Sequence, residues 1–306
     1  MSPIAKESRS HPLNVVTVGP WDDCEFIAAR QGIDPWSDWH ALPNLAAACD
    51  QIETAGSPPE LILLAQPRPG AVNPQDVDRL HSLAPLTRLI VVAGSWCEGE
   101  LRSGQPLQGV VRLYWHELAA WWRAALSQLS HGVHPPWSAP LDDLRAGQLM
   151  CGDAQAGVRI QNTESRDCVA IDAMDYHSFD ALSAALASAG WIATWQPRHR
   201  PEVSPSEESA GPIAAGIFDG GQLSDDEFSA LARFCDRCAQ ASAPVLVLLD
   251  YPRVEHVEKI RTAGAAALLG KPYQLSMLFD ELRRIRALVS WRREPSLTTL
   301  PPAPSE

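Results

Sequence analysis

The feature that most constrains this chain is an alternation. Apolar runs of four to seven residues recur along it, separated by stretches whose apolar residues repeat every three to four positions. Runs that short are buried strands rather than helices. Their alternation with helical periods predicts βαβ units and a parallel sheet. The second half carries the pattern best. Strands are expected at Cys168–Ile171, Trp191–Trp195, Ile213–Phe218, Pro244–Leu249 and Ala265–Leu269. A helix capped by Ser178 carries Phe179, Leu182, Leu186 and Ala189 and stops at Gly190. Ser224 and Glu227 form a capping box ahead of Phe228, Leu231, Cys235 and Cys238. Val254, Val257 and Ile260 mark a third helix, and Leu275, Leu278, Leu282, Ile285 and Val289 a fourth.

The first half repeats the scheme less cleanly. Strands are expected at Leu13–Val18, Leu61–Ala65, Leu89–Ala93 and Val110–Tyr114, with a helix marked by Leu45, Ala48 and Ile52 and a closing helix from about His116 to Leu129. The expected fold class is α/β: two flavodoxin-like, doubly wound domains, each a five-stranded parallel sheet flanked by helices. The expected division is a disordered N-terminus over 1–11, a first domain over 12–130, a linker with a small hairpin over 131–166, a second domain over 167–292 and a disordered Pro-rich tail over 293–306.

A chain of 306 residues has room for two such cores, and 45% hydrophobic with 20% charged residues is a globular composition. The net charge of −12 argues against general binding of nucleic acid, whose phosphates would repel it. No segment is long and apolar enough for a membrane span, and the N-terminus lacks an apolar stretch of signal-peptide length, so a cytosolic protein with no membrane partner is expected. Seven scattered Cys do not suggest a disulfide framework.

In an open parallel sheet, ligands gather beyond the carboxyl ends of the strands. In the second half those ends carry Asp172, Asp219, Asp250 and Lys271, the last followed by Pro272. Carboxylates suit a hard divalent cation such as Mg2+, and an ammonium can neutralise phosphoryl oxygens. The set is a candidate acyl-phosphate site.

Val169-Ala-Ile-Asp172, Gly216-Ile-Phe-Asp219 and Ala265-Ala-Ala-Leu-Leu-Gly-Lys271-Pro272 together resemble the signatures of response-regulator receiver (CheY-like) domains. Lys271 follows Asp219 by 52 positions, which suits that family, and Leu223 stands four after Asp219, where it has an apolar residue. The resemblance covers about residues 166–290. The resemblance implies Asp219 as the phosphoacceptor, Asp172 and Asp219 as ligands of Mg2+, Lys271 as the phosphoryl-stabilising cation, and a histidine kinase or phosphotransfer protein as partner. Three departures count against competence. Ala173 stands where the family has a second acid, unless Asp175 substitutes. Leu249 replaces the Ser or Thr that contacts the phosphoryl group, and Leu268 replaces the aromatic switch residue. The Pro-, Ser- and Glu-rich connection from Pro197 to Pro212 leaves little room for the usual second helix. The first half is more degenerate. Gln66 follows its third strand, Tyr114-Trp115-His116 stands where the Lys would be, and Asp22 and Asp23 read as complements to a helix dipole.

The long loop from Gly94 to Pro106 is a candidate interaction loop presenting Trp96, Glu98 and Glu100, although Trp96 is rather expected to tuck into the sheet edge. Cys235 and Cys238 lie on an apolar helix face and are expected to be structural. Cys97 is a loop thiol without an assignable partner. His131 and His134 are linker residues. The tryptophans Trp36, Trp39, Trp115, Trp121 and Trp122 divide between core and interface, with Trp121 or Trp122 near the surface. Arg283, Arg284, Arg286, Arg292 and Arg293 make a basic last helix, either a solvated face or a docking one. No dinucleotide, Walker A, nucleophile-elbow or zinc-protease motif is present, and no output module follows.

The expected function is that of a non-catalytic signalling or scaffold protein built of two receiver-like domains (pseudo-receivers), acting on other proteins or on a second copy of itself. One alternative is a phosphorylatable response regulator using Asp219 and Mg2+. The other is an enzyme binding a small phosphorylated ligand at the same edge.

Overall fold

In a computed structural model of the chain, the described residues are 13–31, 33, 40–138, 167–198 and 212–293. They form two compact units, each built on one sheet. The expected hairpin at Gln148–Gln161, Trp36, Trp39, the N-terminus and the tail lie outside the described residues, as does most of the Pro197–Pro212 connection.

The first unit runs β1 (Val15–Val18), α1 (Cys24–Gln31), β2 (His40–Leu42), α2 (Leu45–Ala55), β3 (Leu61–Gln66), α3 (Pro74–Leu83), β4 (Arg88–Ala93), α4 (Glu100–Ser103), β5 (Val111–Tyr114) and α5 (Leu118–Ser130). All its strand pairs are parallel, in the order β2-β1-β3-β4-β5. This is the doubly wound, flavodoxin-like order. β3, Leu-Ile-Leu-Leu-Ala-Gln, is buried throughout, as a central parallel strand with both faces covered must be. Alternate residues serve opposite faces. Ile62 and Leu64 join Leu45, Ala48 and Ile52 of α2 and Val77 and Leu80 of α3, while Leu61 and Leu63 join Phe26 of α1 and Leu118 and Trp122 of α5.

Local sequence sets several boundaries. Asn44 caps α2 by accepting from the Ala47 N–H, and Gly56, at φ 64°, closes it in the left-handed conformation. Trp137 is buried against Trp122, and its carbonyl accepts from Arg88 Nε at 2.7 Å. The first core therefore reaches past residue 130, where the linker was expected to begin. Trp121 is the half-buried member of its pair and Trp115 a core residue. His131 Nδ1 lies 2.7 Å from the Ser127 carbonyl at the end of α5.

The rest of the chain runs β6 (Cys168–Asp172), α6 (Tyr176–Ser188), β7 (Ile192–Trp195), β8 (Ile213–Asp219), α7 (Asp225–Gln240), β9 (Val245–Asp250), α8 (Val254–Thr262), β10 (Ala267–Lys271) and α9 (Leu275–Arg293), and its strands form the sheet of the second unit. Its order, β7-β6-β8-β9-β10, is again parallel and doubly wound. Both halves of the Ser224–Glu227 capping box are present. α6 is capped by Asp175, three residues before the expected Ser178, and its carboxylate accepts the Ser178 N–H at 2.8 Å. Cys235 and Cys238 are buried with Phe234 and Leu249, and burial pushes each thiol up to about 12. On α9, Arg283 pairs with Asp280, Arg284 with the buried Glu281, and Arg286 with Asp167.

Candidate functional site

The parallel strands of the second unit end together, so their last residues share one edge. Asp172 closes β6, Asp219 β8, Asp250 β9 and Lys271 β10. Register places Lys271 beside Asp250 across β9–β10. Lys271 Nζ lies 2.9 Å from Asp219 Oδ1 and 3.1 Å from Asp250 Oδ1. Burial pulls the ammonium down, but its bonds to the two carboxylates outweigh that and hold it above the ordinary lysine value.

Asp172 is not part of that cluster's bonding. Its side chain is 2% exposed and pairs with Arg198, which follows β7 and Pro197. Each guanidinium nitrogen of Arg198 has a separate oxygen. Nε donates to Asp172 Oδ1 at 2.9 Å, Nη2 to the main-chain carbonyl of Asp219 at 2.8 Å, and Nη1 faces Glu227 Oε1 at 3.5 Å. The group also lies 4.4 Å from the centroid of the Phe218 ring. Only a planar fork of donors reaches all of these at once; a lysine would not. Arg237 approaches the other Asp172 oxygen at 3.7 Å. Burial pushes the Asp172 carboxyl up, and Arg198, then Arg237, counter it.

The loop after β8 is fixed as closely. Glu227 Oε1 accepts the Gly221 N–H at 2.7 Å, and the Asp250 N–H donates to the Gly221 carbonyl at 2.8 Å. A side chain at Gly220 would meet Leu249 Cδ2 at 2.9 Å, so Leu249 would have to shift to admit one. Leu249 is wholly buried and Leu268 partly so, both packed with the apolar core.

These residues do not fit Mg2+. Of the two carboxylates such an ion would take, Asp172 is bonded through Oδ1 to Arg198 and Asp219 is paired with Lys271. Ala173 offers no oxygen, and Asp175 is committed to capping α6. Among the described residues, no three His, Cys, Asp or Glu side chains are arranged to hold a metal.

The matching edge of the first unit is closed by another arginine. Gln66 ends β3 and is 1% exposed. Arg112 Nη1 donates to Gln66 Oε1 at 3.2 Å and Nη2 to Glu100, while Gln66 Nε2 lies 3.4 Å from Glu100 Oε1. Cys97 Sγ is 3.3 Å from the Gln66 carbonyl, and burial pushes that thiol up to about 11. Gln66, Cys97, Glu100 and Arg112 thus form one closed network. Two expectations for this loop are corrected. Glu100 is 5% exposed and turned inward to its ion pair, so the loop does not present it on the surface. Trp96 is 82% exposed instead of tucked into the sheet, because its neighbours Ser95 and Cys97 take the inward positions of a short 3₁₀ turn. Glu98 is half-buried.

Arg198, Arg237 and Arg112 escaped the sequence analysis. Arg198 stands in a Pro-rich segment with no local period, and a contact across 26 positions leaves no trace in spacing.

Three comparisons bear on kinship. No family profile matches the chain, and no curated protein does. Among solved structures, it is similar to a response regulator from Thermotoga maritima at 17% identity, over 40% of this chain and 99% of that one, with a TM-score of 0.33. A two-component response regulator from Clostridium difficile matches at 17% identity, over 42% and 98%, with a TM-score of 0.29. The C-terminal part of Escherichia coli RcsC, containing a linker region and a phosphoreceiver domain, matches at 13% identity over 96% and 100%, with a TM-score of 0.30. Two of these are response regulators and the third contains a phosphoreceiver domain. Among the described residues, no helix is long and apolar enough to cross a membrane.

Proposed function

We propose that this chain is a non-catalytic signalling protein built of two receiver-like domains, working by protein–protein interaction with phosphoryl transfer to Asp219 impaired or absent. The observation that carries the reading is Arg198, bonded to Asp172 and to the Asp219 carbonyl where an acyl-phosphate site needs a metal. Leu249 adds to it, since a buried leucine offers no hydroxyl to a phosphoryl group. In the first unit Gln66 has no carboxylate to phosphorylate. Trp96 and Leu101, both exposed within residues 94–106, support a protein-facing role, because large exposed apolar side chains favour contact with another protein. A histidine kinase, a phosphotransfer protein or a second copy of the chain are the partners this reading admits.

One observation favours a phosphorylatable response regulator: Lys271 stands 2.9 Å from Asp219. Incubation with Mg2+ and a small phosphodonor, or with beryllofluoride, separates the two. The expected result is no labelling and no beryllofluoride binding by the wild-type protein. Binding that disappears in Asp219→Ala would establish the phosphorylatable regulator instead.

A further inference from the structure

We propose that Arg198 is the resident cation of the Asp219 edge: it supplies from within the chain the positive charge that a divalent ion would bring, so the edge keeps one electrostatic state whether or not Mg2+ is in solution. The inference rests on the reading above only in taking this edge as the site.

Four observations converge on it. The ion pair is enclosed, with side-chain exposures of 6% for Arg198 and 2% for Asp172. A buried carboxylate without its partner is strongly disfavoured, so Asp172 holds the guanidinium as firmly as the guanidinium holds it. All three guanidinium nitrogens face oxygens of different elements: the end of β6, the end of β8 and the first turn of α7. Arg198 thus ties together the ends of β6 and β8, which carry the two carboxylates expected to hold an ion, and adds the start of α7. Its surroundings are themselves fixed, since Glu227 also accepts from the Gly221 and Ser224 N–H groups and Phe218 lies against the guanidinium face. Finally, Lys271 already compensates Asp219 and Asp250. An arriving divalent ion would have to displace Arg198 from Asp172 and then sit beside two cations, which is a repulsive arrangement. The Arg112–Glu100–Gln66 network closes the corresponding edge of the first unit by the same chemistry.

The test uses the full chain and Mn2+, a Mg2+ surrogate whose free-ion spin resonance is lost on binding. Arg198→Gln removes the charge and leaves Asp172 in place. It is expected to bind Mn2+ at least tenfold more tightly than the wild type and to gain thermal stability on addition of Mg2+, whereas the wild type does not. Adding Asp172→Asn to Arg198→Gln is expected to abolish both gains. An Arg198→Gln protein that folds without gaining Mn2+ affinity would overturn the proposal. Should that variant fail to fold, the wild type and Asp172→Asn decide it: equal, weak Mn2+ affinity in both supports the resident cation, and a wild-type affinity lost in Asp172→Asn refutes it. The two readings fail separately. Labelling of Asp219 by a phosphodonor without Mg2+ would sink the impaired-transfer reading and leave the resident cation standing. Wild-type Mg2+ binding through Asp172, with Asp219 still unlabelled by the phosphodonor, would do the reverse.

Discussion

Leu249 is wholly buried at the end of β9, one residue before Asp250, and packs with Phe218 and Phe234. Replacing it with threonine tests whether a hydroxyl alone restores phosphoryl chemistry. Leu249→Thr removes apolar volume and buries a polar group, at a cost of about 2–4 kcal/mol, measurable as an earlier urea midpoint. Beryllofluoride binding is not expected to appear, because Arg198 still holds Asp172; its appearance would make Leu249 the sole obstacle. The pair Glu100–Arg112 is the comparable test in the first unit. Its side chains are 2% and 10% exposed, so Glu100→Gln leaves a buried guanidinium uncompensated. The expected loss is about 3 kcal/mol. Tryptophan emission suits the measurement, since eight of the eleven Trp precede residue 140 and report mainly on that unit.

At the scale of single elements, α7 shows how far local chemistry governs. Ser224→Ala removes the hydroxyl that accepts the Glu227 N–H, one half of the capping box, and is expected to cost about 1 kcal/mol, read as a lower melting temperature of the full chain. That cap was legible from Ser-Asp-Asp-Glu alone, because capping is a contact between residues three apart. The strands were legible for a similar reason, as uninterrupted apolar runs such as Val245–Leu249 admit little else. The Asp219–Lys271 pair was legible through a resemblance that spans several elements. β2 escaped notice because three residues, His-Ala-Leu, carry no period. Arg198 and Arg112 escaped because their partners lie in other elements. In the loop of Gly94 to Pro106, composition flagged the right residues without telling which face inward. Ser95, Cys97 and Glu100 are buried while Trp96 is not, a consequence of the 3₁₀ turn and of the pull of Arg112.

For the molecule as a whole, two doubly wound sheets place unreactive thiols among their helices. Cys235 and Cys238 are each pushed up to about 12 by burial, from an ordinary value of 9.0. Each therefore holds its proton more tightly folded than unfolded. Their contribution to stability is complete below about pH 9 and is lost as pH rises towards about 12. Alkaline denaturation should begin within that window, and substituting Cys235 and Cys238 with alanine should flatten it. At pH 8, alkylation followed by peptide mapping should mark the exposed Cys24 and leave Cys235 and Cys238 untouched until denaturant is added.

The outward turn of Trp96 has a spectroscopic consequence. The residue is 82% exposed, so acrylamide should quench its red-edge emission, and Trp96→Phe should lower the quenchable fraction. A protein docking on this loop would shield the indole and shift the emission to shorter wavelength, giving a label-free signal for fishing out the partner.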